Sequence, residues 1–317
     1  MTPKGHGMED TITAINADGA TLLFGGPYSN LQATRAVLAE ALHLGVPVDR
    51  IICTGDIAAY CGDPSATIAL MRESGIAVVR GNCDEQLGAG ADNCGCGFAE
   101  GSACERISET WYSYANFNVC QEDRGWLRDL PYRIDLFIGD LRLAVLHGSF
   151  SAINRFIFAT SPTELKRHEL DLAGCDGIVA GHCGLPFTEV IDGRLWHNPG
   201  VIGMPANDGT SRVWYSLLTP DASGLRIEHR ALDYDHQAAA LTMERQNLPR
   251  EYADALKSGL WPNCDVLPAQ ERHAQGHALS PGSFLWPKTG SRPSSLVVER
   301  ALFWPDAYSA ASGVTVG

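Results

Sequence analysis

The sequence sets short apolar runs at intervals that leave room for one helix between each pair. The run "TLLFG" (21–25) is followed by apolar residues at Leu31, Val37, Leu38, Ala41 and Leu42, close to the 3.6-residue period of a helix. Ser29 and Asn30 stand where that helix wants an N-cap. "RIICT" (50–54) is followed by a helix that opens at Pro64, a favoured first helical position, and closes at Gly75. "IAVVR" (76–80) is the third run. This spacing predicts βαβ units on a parallel sheet. After Ile134 the texture becomes strand-rich, with "LRLAVLH", "DGIVAGH", "FTEVIDGRLWHN", "SRVWYSLLT" and "LRIEHRAL" in succession. Asp192-Gly193 marks a hairpin turn inside the third of these. A helical stretch is expected over 235–259.

The chain has 317 residues, 45% of them hydrophobic and 19% charged, enough to bury a full core. Its formal net charge of -13 and the lack of any basic cluster argue against nucleic acid or an anionic membrane surface as a partner. No apolar run reaches bilayer-spanning length. Residues 1–18 read as a loose lead-in without a signal core, and 19–265 as the folded domain. Residues 266–317 scatter Pro, Gly and Ser without a sustained period, and are expected to be a loosely docked or disordered tail, with Trp286 and Trp304 arguing for some docking. A cytoplasmic location is expected. In that reducing setting the ten cysteines should be thiols rather than disulfides.

Polar residues collect where the strands end. Gly55-Asp56 follows the second run and Gly81-Asn82-Cys83-Asp84 the third, while His147-Gly148 follows "LRLAVL" and Gly181-His182 follows "DGIVA". In open α/β sheets sites form outside the carboxyl ends of strands. A single Asp or His in such a place usually caps a loop. Asp56, Asn82, His147 and His182 on one rim make a coordination shell of one carboxylate, one amide oxygen and two imidazoles. That donor set suits Mn, Fe or Zn better than calcium.

In this order, "GDIAAY", "GNCDE", "LHG", "AGHCG" and "NPGVIG" resemble the calcineurin-like metallophosphoesterases, in particular their small bacterial and archaeal phosphodiesterase branch. The resemblance runs from about residue 21 to 259. It implies a four-layer α/β/β/α sandwich of two mixed sheets flanked by helices, with two metal ions at the strand ends that hold phosphate oxygens and activate water for in-line displacement. It implies that Asp56 is the bridging aspartate and that Asn82, His147 and His182 complete the second metal's ligands. The ligands exclusive to the first metal are missing. The family's Asp-x-His is Gly26-Pro27-Tyr28 here, the last position of its Gly-His-x-His is Gly184, and its Asn-His pair is Asn82-Cys83. The resemblance therefore implies one divalent transition metal per chain in an altered centre.

Several residues stand as candidates to fill the gap. Tyr28 occupies the place of a lost histidine, and a phenolate can ligate iron(III). Tyr60 resembles the iron-ligating tyrosine of purple acid phosphatases. Cys83 beside a cation is expected to have a lowered pKa, as ligand, proton donor or nucleophile. Asp84 is expected to orient a neighbour and Asn30 to contact substrate. Cys94, Cys96 and Cys104 lie in a glycine-rich loop placed to gate the site, and form a possible second thiolate metal site, with Cys61 or Cys83 as a further member. The expected function is hydrolysis of a small phosphorylated metabolite. The alternative is a non-catalytic metal or ligand sensor, or a scaffold, on the same fold.

Overall fold

The computed structural model describes residues 11–287 and the backbone of 299–301. The first half of the chain comprises β1 (Ile12–Ala17), β2 (Thr21–Phe24), α1 (Leu31–His43), β3 (Ile51–Cys53), α2 (Pro64–Ser74), β4 (Ala77–Val78), α3 (Asn82–Ala89), α4 (Ala103–Asn118) and α5 (Gln121–Asp129). The second half comprises β5 (Arg133–Ile138), β6 (Leu141–Leu146), α6 (Thr163–Ala173), β7 (Gly177–Ala180), β8 (Phe187–Ile191), β9 (Arg194–Asn198), β10 (Val213–Asp221) and β11 (Gly224–Leu232). It ends with α7 (His236–Arg245), α8 (Arg250–Ser258), α9 (Ala269–His273), β12 (Gly282–Pro287) and β13 (Glu299–Ala301).

The strands form two mixed sheets. One runs β12-β11-β10-β2-β3-β4 and the other β1-β5-β6-β7-β9-β8-β13. Strand alternation sorts side chains into three apolar layers. In β2 and β3, Leu22, Phe24, Ile51 and Cys53 face helices α1, α2, α7 and α8, whereas Leu23 and Ile52 face the opposite sheet. In β7, Ile178 and Ala180 face α6 and Val179 the inter-sheet layer. The result is the expected four-layer α/β/β/α sandwich. β2, β3 and β4 pair in parallel, and β6 with β7 likewise, so five strand ends open on one rim. Asp192 and Gly193 both take positive φ in the β8–β9 turn, as a primed hairpin turn requires.

Three expectations are corrected. Residues 12–17, read as lead-in, form β1, paired in parallel with β5. The helical stretch over 235–259 is two helices, because Asn247 adopts a left-handed φ of 54° and Pro249 precedes α8 as its N-cap. The segment after 265 is docked, since β12 extends the sheet along β11 and Trp286 is buried between the sheets. The Glu271 carboxylate is buried too and accepts from the Thr160 backbone N–H at 3.0 Å. Residues 1–10 of the lead-in, and 288–298 and 302–317 of the tail with Trp304, lie outside the described residues.

Candidate metal centre

The rim is built from backbone that only close approach and positive φ allow. Gly55 lies at φ 95°, and a Cβ on Gly81 would stand 2.3 Å from Asp56 Oδ1, so glycine at 81 is what admits the carboxylate. Asp56 and His182 themselves adopt positive φ, both 59°, a strained conformation that concentrates at functional sites. Asp84 holds this turn together. Its carboxylate accepts from the N–H groups of Asp56 (2.8 Å), Ile57 (2.9 Å) and Gly81 (2.9 Å). It thus ties the turn of Asp56 to that of Gly81. Burial, then Asp56, raise its pKa to about 6.

At the centre, acceptor atoms face one another. His147 Nδ1 lies 2.6 Å from the Thr54 carbonyl, so the ring proton of a neutral imidazole sits there. Its Nε2 lone pair then faces Asn82 Oδ1 at 3.0 Å, His182 Nδ1 at 3.1 Å and Asp56 Oδ2 at 3.3 Å. The Asn82 amide is oriented by its Nδ2, which donates to the Cys94 carbonyl at 2.9 Å. Asp56, His147 and His182 each offer an atom within 4.8 Å of the others, and all are buried. Such a group of lone pairs calls for a positive charge between them, either a proton or a cation. Burial alone would depress His147, but Asp56 outweighs it and holds the imidazole above its usual range. Asp56 is correspondingly drawn below the carboxylate range by His147 against its own burial. Burial, then His147, push His182 down to about 3, which leaves it a neutral donor. The donor set fits a divalent transition metal.

The neighbouring candidates separate. The Tyr28 ring folds over Gly26, where a Cβ would meet it at 2.4 Å, and packs edge-on against Tyr60 at 4.9 Å. Burial, then Asp56, push its hydroxyl well above the ordinary tyrosine range. Tyr60 also packs on Trp111 and Tyr252 at 4.7 and 4.9 Å. Cys83 is buried, and burial followed by Asp56 pushes its thiol up. Asn30 does not face the rim. It caps α1 through Ala33 N–H at 3.1 Å, and donates to Gly203 O and the Tyr234 hydroxyl, both at 3.1 Å, so the expected substrate contact is corrected to a structural one.

The cysteine expectation is also corrected. Cys94 and Cys96 form a disulfide. Cys83 is the thiol beside them, its Sγ 4.0 Å from that of Cys96. Cys104 faces a separate apolar cleft, and the Cys61 thiol points to Gly203 O at 3.6 Å. That cleft opens beside His182 and is lined by Tyr28, Tyr60, Phe98, Phe156, Tyr252 and Trp261. Phe156 packs against His182 with ring centroids 4.2 Å apart and the planes tilted by 40°. The Trp261 ring lies 3.5 Å from where a Cβ on Gly184 would stand. Aromatic rings thus occupy the side of the rim where the sequence shows Gly26 and Gly184. No lysine or arginine is among the described residues lining the cleft. Phe156 and Trp261 gave no sequence signal, because neither lies beside a strand-end motif.

The calcineurin-like phosphoesterase superfamily domain matches residues 29–221. The chain belongs to that superfamily, whose members are metal-dependent phosphoesterase-type hydrolases. An uncharacterised protein of Methanocaldococcus jannaschii is 25% identical over 249 residues, covering 73% of this chain and 95% of its own length. Two solved structures share the fold. A metallophosphoesterase of Sphaerobacter thermophilus has a TM-score of 0.60 at 21% identity, covering 77% of this chain and all of its own. A hypothetical protein of Pyrococcus horikoshii has a TM-score of 0.62 at 20% identity, covering 76% and 99%.

Proposed function

We propose that the protein is a phosphoesterase with a one-cation centre that hydrolyses a small phosphorylated metabolite. The reading rests on one observation, the convergence of Asn82 Oδ1, His182 Nδ1 and Asp56 Oδ2 on His147 Nε2 within 3.3 Å. These four residues would hold one divalent ion (Mn, Fe or Zn), which when bound polarises a phosphoryl oxygen and lowers the pKa of water. The chain's own groups do the rest. The Thr54 carbonyl fixes the His147 tautomer, and Asp84 fixes the turn that carries Asp56. The aromatic cleft takes the organic part of the substrate and excludes water, with Phe98 of the 90–102 loop as part of its cover. Tyr28, which keeps its proton, donates a hydrogen bond from Oη to the leaving oxygen. With no lysine or arginine among the described residues lining the cleft, a singly charged diester is favoured over a doubly charged monoester.

The test is turnover of an aryl phosphodiester and an aryl phosphomonoester with Mn2+, Fe2+ or Zn2+. Activity should vanish in His182→Ala, and Tyr28→Phe should lower kcat by about 10²-fold or more. Aromatic rings at the first-metal side favour a second reading, a ligand-binding module without catalysis. Cation binding without turnover of either ester class would support it and overturn the first.

A further inference from the structure

Three sulfurs meet at the edge of the candidate centre. Cys94 and Cys96 are bonded to each other, Cys83 Sγ lies 4.0 Å from Cys96 Sγ, and all three are buried. Two thiolates on one tetrahedral zinc, each about 2.3 Å from the metal, stand roughly 3.8 Å apart. The Cys83–Cys96 separation is therefore already that of two ligands of one ion.

The loop is held in this place from both sides. Asn82 Nδ2 donates to Cys94 O at 2.9 Å and lies 3.5 Å from the sulfurs of both Cys83 and Cys96. Asn154 Nδ2 donates to Gly95 O at 2.9 Å, and Gly95, at φ 63°, makes the bend that brings its two neighbours together. Asp56 joins the two groups. Its Oδ2 faces His147, while its Oδ1 accepts from the Cys83 N–H at 2.9 Å.

We propose that Cys83, Cys94 and Cys96, with Asp56 at the fourth position, form a second cation site for a thiolate-preferring ion such as Zn2+ or Fe2+, available when the Cys94–Cys96 disulfide is reduced. The proposal rests on the reading of Asp56 as a ligand given above and extends it. Thiolates select such ions over magnesium, calcium or manganese. A dithiol reductant breaks the Cys94–Cys96 bond, giving up two electrons and two protons and leaving as its own disulfide. Binding of the cation then releases the protons of the thiols. The side of Asp56 away from the histidines thus gains ligands from the loop, where Gly26 and Gly184 offer none. The redox state of the loop sets whether the centre holds one ion or two.

The experiment titrates Co2+ into the whole protein, oxidised or reduced with dithiothreitol under argon and freed of reductant. Oxidised protein should bind one equivalent without thiolate-to-cobalt charge-transfer absorption. Reduced protein should bind two and show that absorption in the near ultraviolet. Cys96→Ser should lose the absorption and one equivalent, and Cys120→Ser, at an exposed cysteine, should keep both. One equivalent in both redox states without the absorption would overturn this proposal and leave the histidine site standing. No binding in either state would overturn both.

Discussion

At the scale of single residues, Asp84 governs the centre without belonging to it. It is buried, and its carboxylate satisfies three backbone N–H groups in the two turns that carry Asp56 and Asn82. Asp84→Ala leaves those donors buried and unpaired, each at a cost of about 1–3 kcal/mol. The variant should lose about 3 kcal/mol or more in urea denaturation, and its cation affinity should fall with it; an unchanged midpoint would contradict this role. Asp56, Asn82, His147 and His182 were legible in the sequence because each follows an apolar run and has a glycine next to or near it. Asn30 is ambiguous in the sequence because a cap and a substrate contact look alike there. The disulfide was missed because two cysteines separated by one glycine carry no pairing signal, and whether they meet depends on the bend at Gly95.

At the scale of elements, the segment after residue 265 is the clearest departure from expectation. β12 lies at the sheet edge with one face exposed, so its sequence shows neither a full apolar run nor clean alternation. β1, at the edge of the other sheet, is mostly exposed as well. Strands buried on both faces, such as β2 and β7, were legible for the opposite reason. Trp286 is 1% exposed and its Nε1 donates to Gly193 O at 3.1 Å. Trp286→Ala should therefore cost about 3–5 kcal/mol, read as a lowered denaturant midpoint. A loss below about 1 kcal/mol would mean that β12 is dispensable.

At the scale of the whole molecule, the two sheets enclose a polar pair within an apolar layer. His197 and His229 share Thr188 Oγ1 at 2.9 and 2.8 Å, and His197 Nε2 meets Ser216 Oγ at 2.7 Å. Burial depresses both histidines, His229 to about 3, and His229 depresses His197 further. Below about pH 6.5 the unfolded chain takes up protons that the folded protein refuses. The contribution of this pair should thus be flat above pH 7 and fall as pH drops from 6.5 toward 3, by about 1.4 kcal/mol per unit for each of the two histidines. Urea midpoints at pH 7 and 5 should show the fall, and His229→Gln should make it shallower. Equal slopes in the two proteins would contradict the assignment.

The proposed function requires that the four strand ends hold a cation. Titration of oxidised protein with Mn2+, following the free ion by electron paramagnetic resonance, measures this directly. One equivalent should bind, and both Asp56→Ala and His182→Ala should abolish it while remaining folded by circular dichroism. An absence of binding in the wild-type protein, or one equivalent retained in folded His182→Ala, would contradict the central claim.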